Sequence, residues 1–258
     1  MTTFNLPIQE NTKLKQIMEK VVLNPRLNTL WQVSNVTAIS RLGYTDHGPI
    51  HVKIVANLAL KILRSLIKRG VVPNVVKDYG MANNDAEVVV VLGAIFHDLG
   101  MAVIRKDHEF YSAMFAMTVL DEVLGDTYTP EEATIVTSEV LHAIVTHEEP
   151  QKPLTVEAGV VKIADALDME KGRARIPFEA GSVDIHSVSA LSIERVAVLE
   201  GIEKPVEVRI LMTNPAGIFQ IDQLLKPRIM NSGLQNYFHV VGEVVETDKG
   251  KYLERFEF

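Results

Sequence analysis

His97 and Asp98 adjoin at the end of a long apolar run, Val88-Val89-Val90-Val91-Leu92-Gly93-Ala94-Ile95-Phe96. A helix that apolar has no ordinary use for an adjacent imidazole and carboxylate. Burying a carboxylate without a partner costs several kcal/mol or shifts its pKa until it neutralises. A bound metal cation removes the conflict, because it accepts both side chains and cancels the charge. The chain has no cysteine, which excludes disulfides, thiolate zinc sites and a cysteine nucleophile. Any metal must therefore be held by His, Asp or Glu.

Further side chains of that kind recur along the first two thirds of the sequence. His51 opens one helical pattern, with Val55 and Ala59 on the same face. His108 begins another, in Asp107-His108-Glu109-Phe110. His142 and His147 lie on or just after a fourth, and Asp165 and Asp168 in a fifth. His142 and His147 are about 140° apart on an ideal helix, so both cannot reach one metal without a break. Asp165 and Asp168 share a face. Asp168 is a candidate to support a ligand, to cap the helix, or to pair with Lys171 or Arg173.

The elements that must position these groups are helical over residues 1–183. Ile50, Ile54, Val55, Leu58, Ile62, Leu63 and Leu66 follow helical spacing, and Gly70 stops them. Asn84 and Glu87 have the spacing of a capping box before the His97-Asp98 helix. A third helix is expected from about Asp107 to Leu124. Thr129-Pro130-Glu131-Glu132 supplies an N-cap, a first-turn proline and a Glu at the third position for a helix reaching about Thr146. A fifth is expected from after Pro153 to Lys171-Gly172.

The pattern changes after Pro177. Val206, Val208, Ile210 and Met212 alternate with Glu207, Arg209 and Leu211, a strand period. Ile193 to Leu199, Tyr237 to Val245 and Tyr252 to Phe258 also read as strands. Residues 217–234 read as a helix, and Asp248-Lys249-Gly250 as a turn. The expected fold is mainly α: a helical bundle domain (1–183) followed by a small α+β domain (184–258) of β-β-α-β-β order.

The ordered set His51, His97-Asp98, His108, His147 (or His142) and Asp165 resembles the HD superfamily of metal-dependent phosphohydrolases, over roughly residues 40–175. The resemblance implies an HD-type helical bundle whose ligands meet in one pocket. His51, His97, Asp98 and Asp165 would hold a first metal; His108, His147 and a bridging Asp98 would hold a second. His147 fits the family's place for this ligand better than His142. Imidazole and carboxylate ligands suit one or two divalent transition ions, manganese, iron, nickel, cobalt or zinc. The implied chemistry is hydrolysis of a phosphomonoester or phosphodiester of a nucleotide or similar small phosphate compound by a metal-bound hydroxide. His97 and Asp98 are its central residues. The branch that cleaves cyclic dinucleotides carries Lys after His-Asp-x-Gly and then Gly-Tyr-Pro. Here Met101 follows Gly100, and Glu148-Glu149-Pro150-Gln151-Lys152-Pro153 follows His147, so that activity is not implied. Some relatives use the same ligand set for a di-iron oxygenase that cleaves a C–C or C–P bond, the second reading, and a non-catalytic nucleotide-binding sensor is a third.

Lys171, Arg173 and Arg175 follow the last ligand and are candidates to grip a phosphate, Arg in bidentate fashion. Arg41 is a weaker candidate, and His47 a candidate for the pocket wall.

Composition sets the outer bounds. The apolar fraction of 47% over 258 residues suffices for a packed core. The longest apolar stretch, about nine residues, falls far short of the roughly 20 needed to span a bilayer. Residues 1–7 hold no basic region or hydrophobic signal core, so a cytoplasmic protein with no membrane partner is expected. Residues 1–183 carry 18 Lys and Arg against 22 Asp and Glu, and residues 184–258 carry 8 against 11. Neither part is basic, which argues against a nucleic-acid partner. The alternating strands with free edges point to a homodimer.

Overall fold

A helix that is apolar on every side is stable only when neighbours enclose it. In the computed structural model, which describes residues 4–171, 185–244 and 254–258, that helix is α5 (Asn83–Phe96), and every residue from Asp85 to Phe96 is buried. Around it stand α1 (Thr12–Leu23), α3 (Pro49–Lys68), α4 (Asn74–Tyr79), α7 (Pro130–Thr146) and α8 (Val156–Ala166). Two further helices, α2 (Pro25–Asn35) and α6 (His108–Leu124), pack on the short 3-10 turn Leu99–Ala102 that follows α5. Each fully buried Leu or Val of this assembly contributes about 1.5–3 kcal/mol.

The end of α5 is tied down by polar bonds from α2. The Trp31 indole N–H donates to the Ile95 carbonyl at 2.9 Å. The Ser34 hydroxyl lies 3.3 Å from the carbonyls of Asp98 and Leu99. The chain therefore leaves the core helix along one path, and the His97-Asp98 pair is set by it.

Two helix ends differ from the sequence expectation. At the start of α5 the capping carboxylate is Asp85, not Glu87: its Oδ2 accepts the Ala82 N–H at 2.9 Å. The helix begins one residue before Asn84, and Lys13 and the Tyr128 hydroxyl, both at 2.8 Å, fix Asp85 there. Glu87 instead accepts from Arg64 Nε at 2.7 Å. At the other end, α8 stops at Ala166 rather than Lys171-Gly172. The Asp168 N–H turns back to the Asp165 carbonyl at 3.1 Å, which tightens the last turn and directs Asp168 inward. The capping box at α7 forms as expected: Thr129 Oγ1 accepts the Glu132 N–H and Glu132 Oε2 accepts the Thr129 N–H.

The C-terminal part is a four-stranded sheet with helices. Its strands are β1 (Ile193–Glu200), β2 (Val206–Met212), β3 (Phe238–Val244) and β4 (Glu254–Glu257), in spatial order β1-β2-β3-β4. β1/β2 and β3/β4 are antiparallel, and β2/β3 is parallel in a register that pairs Val208 with Val240. A parallel pair needs a crossover, and residues 213–237 supply it. The helix expected at 217–234 forms as one helical run over 215–231 that opens as a 3-10 turn (Pro215–Gly217), widens to a π-helical turn (Gln220–Leu225) and ends in α10 (Lys226–Asn231). Pro227 has no N–H to donate to the preceding turn, so one continuous α-ladder cannot pass through it. A helix the sequence did not signal, α9 (Ile185–Leu191), precedes β1. The Asp248-Lys249-Gly250 turn and the 183/184 boundary lie outside the described residues.

The sheet and its crossover lean on the helical bundle. Ile193, Val206, Val208, Phe238 and Val240 join the same buried apolar cluster as α3 and α8. A Cβ added at Gly159 of α8 would stand 2.6 Å from the Ser232 carbonyl, so that contact requires glycine. No helix among the described residues is long and apolar enough to cross a membrane.

Gly100 sets how closely α6 approaches the His97-Asp98 turn. Its N–H donates to Ser112 Oγ at 2.8 Å, and a Cβ there would lie 2.0 Å from the His108 carbonyl oxygen. Gly100→Ala must push the start of α6, and His108 with it, away from Asp98. Thermal and denaturant melts are expected to show a loss of about 2–4 kcal/mol; unchanged stability would mean that α6 does not depend on this contact.

Candidate metal centre

Five helical elements bring six side chains together. His51 stands in the first turn of α3, His97 and Asp98 at the end of α5, His108 at the start of α6, His147 at the end of α7 and Asp165 near the end of α8. His51 Nε2 lies 3.1 Å from His97 Nε2, 3.3 Å from Asp98 Oδ2 and 3.3 Å from Asp165 Oδ1. His97 Nε2 lies 3.3 Å from Asp98 Oδ2 and 3.6 Å from Asp165 Oδ1. The other Asp98 oxygen, Oδ1, faces away from these, 3.0 Å from His108 Nε2 and 3.8 Å from His147 Nε2. His108 and His147 place their Nε2 atoms 3.2 Å apart. Three trios of donor atoms, His51/His97/Asp98, His97/His147/Asp165 and Asp98/His108/His147, are each compact enough to hold an ion.

The imidazoles are aimed by their far nitrogens. His97 Nδ1 lies 2.7 Å from the Ala94 carbonyl and His147 Nδ1 2.6 Å from the Ile144 carbonyl. A carbonyl only accepts, so both Nδ1 atoms carry the proton and both Nε2 atoms present a lone pair to the centre. His51 Nδ1 lies 2.6 Å from Asp168 Oδ2, which fixes the same tautomer. The carbonyl of Arg105 stands 3.0 Å from His108 Nδ1. This is the outer support that metal-binding histidines use.

The donor chemistry fits a cation. Two imidazole lone pairs opposed at 3.1 Å, beside two carboxylates, repel unless positive charge enters. Arg228 supplies part of it at Asp165. Burial opposes the charged form of His97, but the charge of Asp98 and the hydrogen bonds to Asp165 and Asp98 raise its pKa well above the usual histidine range. Asp98 and Asp165 are likewise held well below the usual carboxylate range. Burial opposes this, while His97 leads for Asp98 and hydrogen bonds from His51 and His97 lead for Asp165. Burial, with the charges of His97 and His108, pushes His147 down to about 3, so it stays neutral and ready to donate its lone pair. Imidazole and carboxylate together suit the transition metals from manganese to zinc.

Other sequence candidates stand elsewhere. His142, the alternative to His147, stands apart from the clustered donors: its Nε2 accepts the Leu154 N–H at 2.9 Å. His47 is half-buried, its ring 5.7 Å from that of His51 and its Nδ1 2.7 Å from the Thr45 carbonyl, which puts it in the wall. Arg41 is exposed and reaches Thr37 Oγ1 at 3.4 Å. Lys171 pairs with Glu194 on β1 and does not join the cluster. Arg173 and Arg175 lie outside the described residues.

Three residues near the cluster escaped the sequence reading. Arg228 of α10 donates Nη1 to Asp165 Oδ2 at 2.6 Å and Nη2 to Glu148 Oε2 at 3.1 Å. Arg105 donates to Glu148 Oε1 at 3.2 Å. Lys162, fully buried on α8, spends its ammonium protons on the carbonyls of Thr146, Glu148 and Gln151 at 2.8–3.2 Å, which holds the segment carrying His147 and Glu148. A buried lysine within an apolar run, in Val161-Lys162-Ile163, was the one available signal. No spacing rule connects Arg228 to a ligand 63 residues earlier.

Residues 50–170 match the family model described as HD domain. The chain is also similar to the uncharacterized protein MJ1020 of Methanocaldococcus jannaschii, 46% identical over 240 residues, covering 93% of this chain and 92% of that one.

Asp168 tests whether the outer support matters. Asp168→Asn keeps size but removes the charge that holds the His51 tautomer. It is expected to weaken manganese binding by about 10–100-fold, read by isothermal titration, with an unaltered circular dichroism spectrum. Affinity within twofold of the parent would mean His51 needs no such support.

Proposed function

The chain belongs to the HD domain family, and from that premise we propose that it is a metal-dependent hydrolase of a small phosphate compound. The family is in general one of metal-dependent phosphohydrolases, and the buried His and Asp groups could hold the metal. The finer proposal is cleavage of a phosphomonoester or phosphodiester bond of a nucleotide or similar compound.

One observation carries this reading: the two oxygens of Asp98 are divided, Oδ2 toward His51 and His97 and Oδ1 toward His108. That is the disposition of a carboxylate placed to bridge two ions. Divalent ions held there supply a water of lowered pKa and positive charge for the phosphoryl oxygens. The chain's own residues fix where this happens. His51, His97 and Asp165 hold one side of Asp98, His108 and His147 the other. All four histidines are buried, which excludes bulk water, while Asp165, with 16% of its side chain exposed, stands at the open side. Asp98 is the proposed residue to orient the attacking water. No nucleophilic side chain is needed, in keeping with a chain that has no cysteine. The same proposal holds the protein to be a cytoplasmic homodimer that pairs through β4, the outermost strand of the sheet among the described residues.

The test is phosphate release from nucleotides, simple monoesters and diesters by protein loaded in turn with manganese, cobalt, nickel, iron, zinc and magnesium. Turnover with a transition metal, cut at least a hundredfold by Asp98→Asn, is expected. Metal-loaded protein that releases no phosphate, yet consumes oxygen when loaded with iron, would replace this reading with that of a di-iron oxygenase. Nucleotide binding without either reaction would leave a sensor.

A further inference from the structure

On the rim of the cluster one carboxylate is gripped by two guanidinium groups. Glu148 places Oε1 3.2 Å from Arg105 Nη2 and Oε2 3.1 Å from Arg228 Nη2. Arg228 also meets Asp165 Oδ2 at 2.6 Å and the His147 carbonyl at 3.5 Å through Nη1. Arg105 places Nη1 3.0 Å from His108 Nδ1. Each arginine thus touches one side chain of the cluster, Asp165 on one side and His108 on the other. An anion between the two arginines stands beside both halves of the site. Solvent reaches it, since Glu148 is 22% exposed and Arg105 37%.

We infer that Arg105 and Arg228 form a clamp for the dianionic terminal phosphoryl group of the substrate, and that Glu148 is the resident anion this group displaces. The inference rests on the proposed phosphohydrolase function and narrows its substrate class. A carboxylate carries one charge and gives one oxygen to each arginine. A terminal phosphoryl group carries close to two charges and three free oxygens, enough to engage both guanidinium forks and still turn an oxygen to the cluster. A phosphodiester carries one charge and two free oxygens, so exchanging it for Glu148 gains nothing in charge. The clamp therefore selects a phosphomonoester, or the terminal phosphate of a nucleotide, over an internal diester. Arg228 comes from α10, which makes the C-terminal part a contributor to the site. Its buried charge is held in place by Asp165 and Glu148, which raise its already high pKa against the opposing effect of burial. Glu148 lies just after the end of α7, where Lys162 holds its backbone carbonyl and outward rotation of the side chain alone can release the arginines.

The experiment titrates inorganic phosphate into the full-length, manganese-loaded protein by calorimetry, with manganese content measured for each variant. Glu148→Gln is expected to tighten phosphate binding about fivefold to tenfold, and Arg228→Met and Arg105→Met each to weaken it at least tenfold. The double variant Glu148→Gln with Arg228→Met separates a clamp from general charge removal. If Glu148 competes for the clamp, the gain disappears in the double variant; a gain that persists there overturns the inference. Dimethyl phosphate, a diester, should bind at least tenfold more weakly than inorganic phosphate to Glu148→Gln, and equal affinity for the two anions overturns the monoester preference. Should Arg228→Met fail to fold, the more exposed Arg105→Met carries the same test. Phosphate affinity unaltered by Glu148→Gln and Arg105→Met sinks the clamp even if the enzyme turns over. A failure of the phosphohydrolase reading shows separately, as absent turnover in the parent.

Discussion

The convergence of imidazole lone pairs and carboxylates on one buried point, where Arg228 meets Asp165 alone among the two carboxylates, governs this structure. His51 and His97 face each other through Nε2 at 3.1 Å, with Asp98 and Asp165 within 3.6 Å. In the interior such a set is costly, because low dielectric magnifies repulsion between like groups as much as attraction between opposite ones. A divalent cation shared by these donors relieves that cost. Five helices of the bundle carry the groups of this cluster. The enclosed α5 delivers two of the groups, and α3, α6, α7 and α8 each deliver one. A ligand that binds only the folded state also stabilises it by mass action, so the bundle should gain stability from the ion it assembles.

The parts of this arrangement that were legible in the sequence were local or ordered. The apolar run before His97-Asp98 announced an enclosed helix with a polar end, and the boxed start of α7 could be read from Thr129-Pro130-Glu131-Glu132. The histidines and aspartates could be found because helical spacing limits where each can point. That His147 and not His142 faces the other donors is a tertiary fact, with the Leu154 N–H bonded to His142. The early end of α8 was invisible for a related reason. Asp168 leaves the helix to reach His51, 117 residues away in sequence, and helical periodicity carries no trace of that.

The C-terminal part was legible as strands and a crossover, but not as a contributor to the site. Its strand order follows from alternation and from the parallel pair that residues 213–237 connect. The change of helix type just before Pro227 was readable in principle, since proline removes one bond of an α-ladder. The reach of Arg228 into the rim was not. Its charge is ordinary for a surface helix, and only the packing of α10 on α8 through Gly159 and Ser232 brings it to Asp165. Lys162 illustrates the opposite case. A lysine amid valines and isoleucines demands an explanation, and three backbone carbonyls provide it.

The central claim is that these side chains share metal ions in the folded core. Crystals of the full-length protein grown with manganese, measured at the manganese absorption edge, test it most directly. The account predicts two anomalous peaks, one among His51, His97, Asp98 and Asp165 and one among Asp98, His108 and His147. Anomalous maps with manganese elsewhere and none between His51 and Asp98 would contradict it.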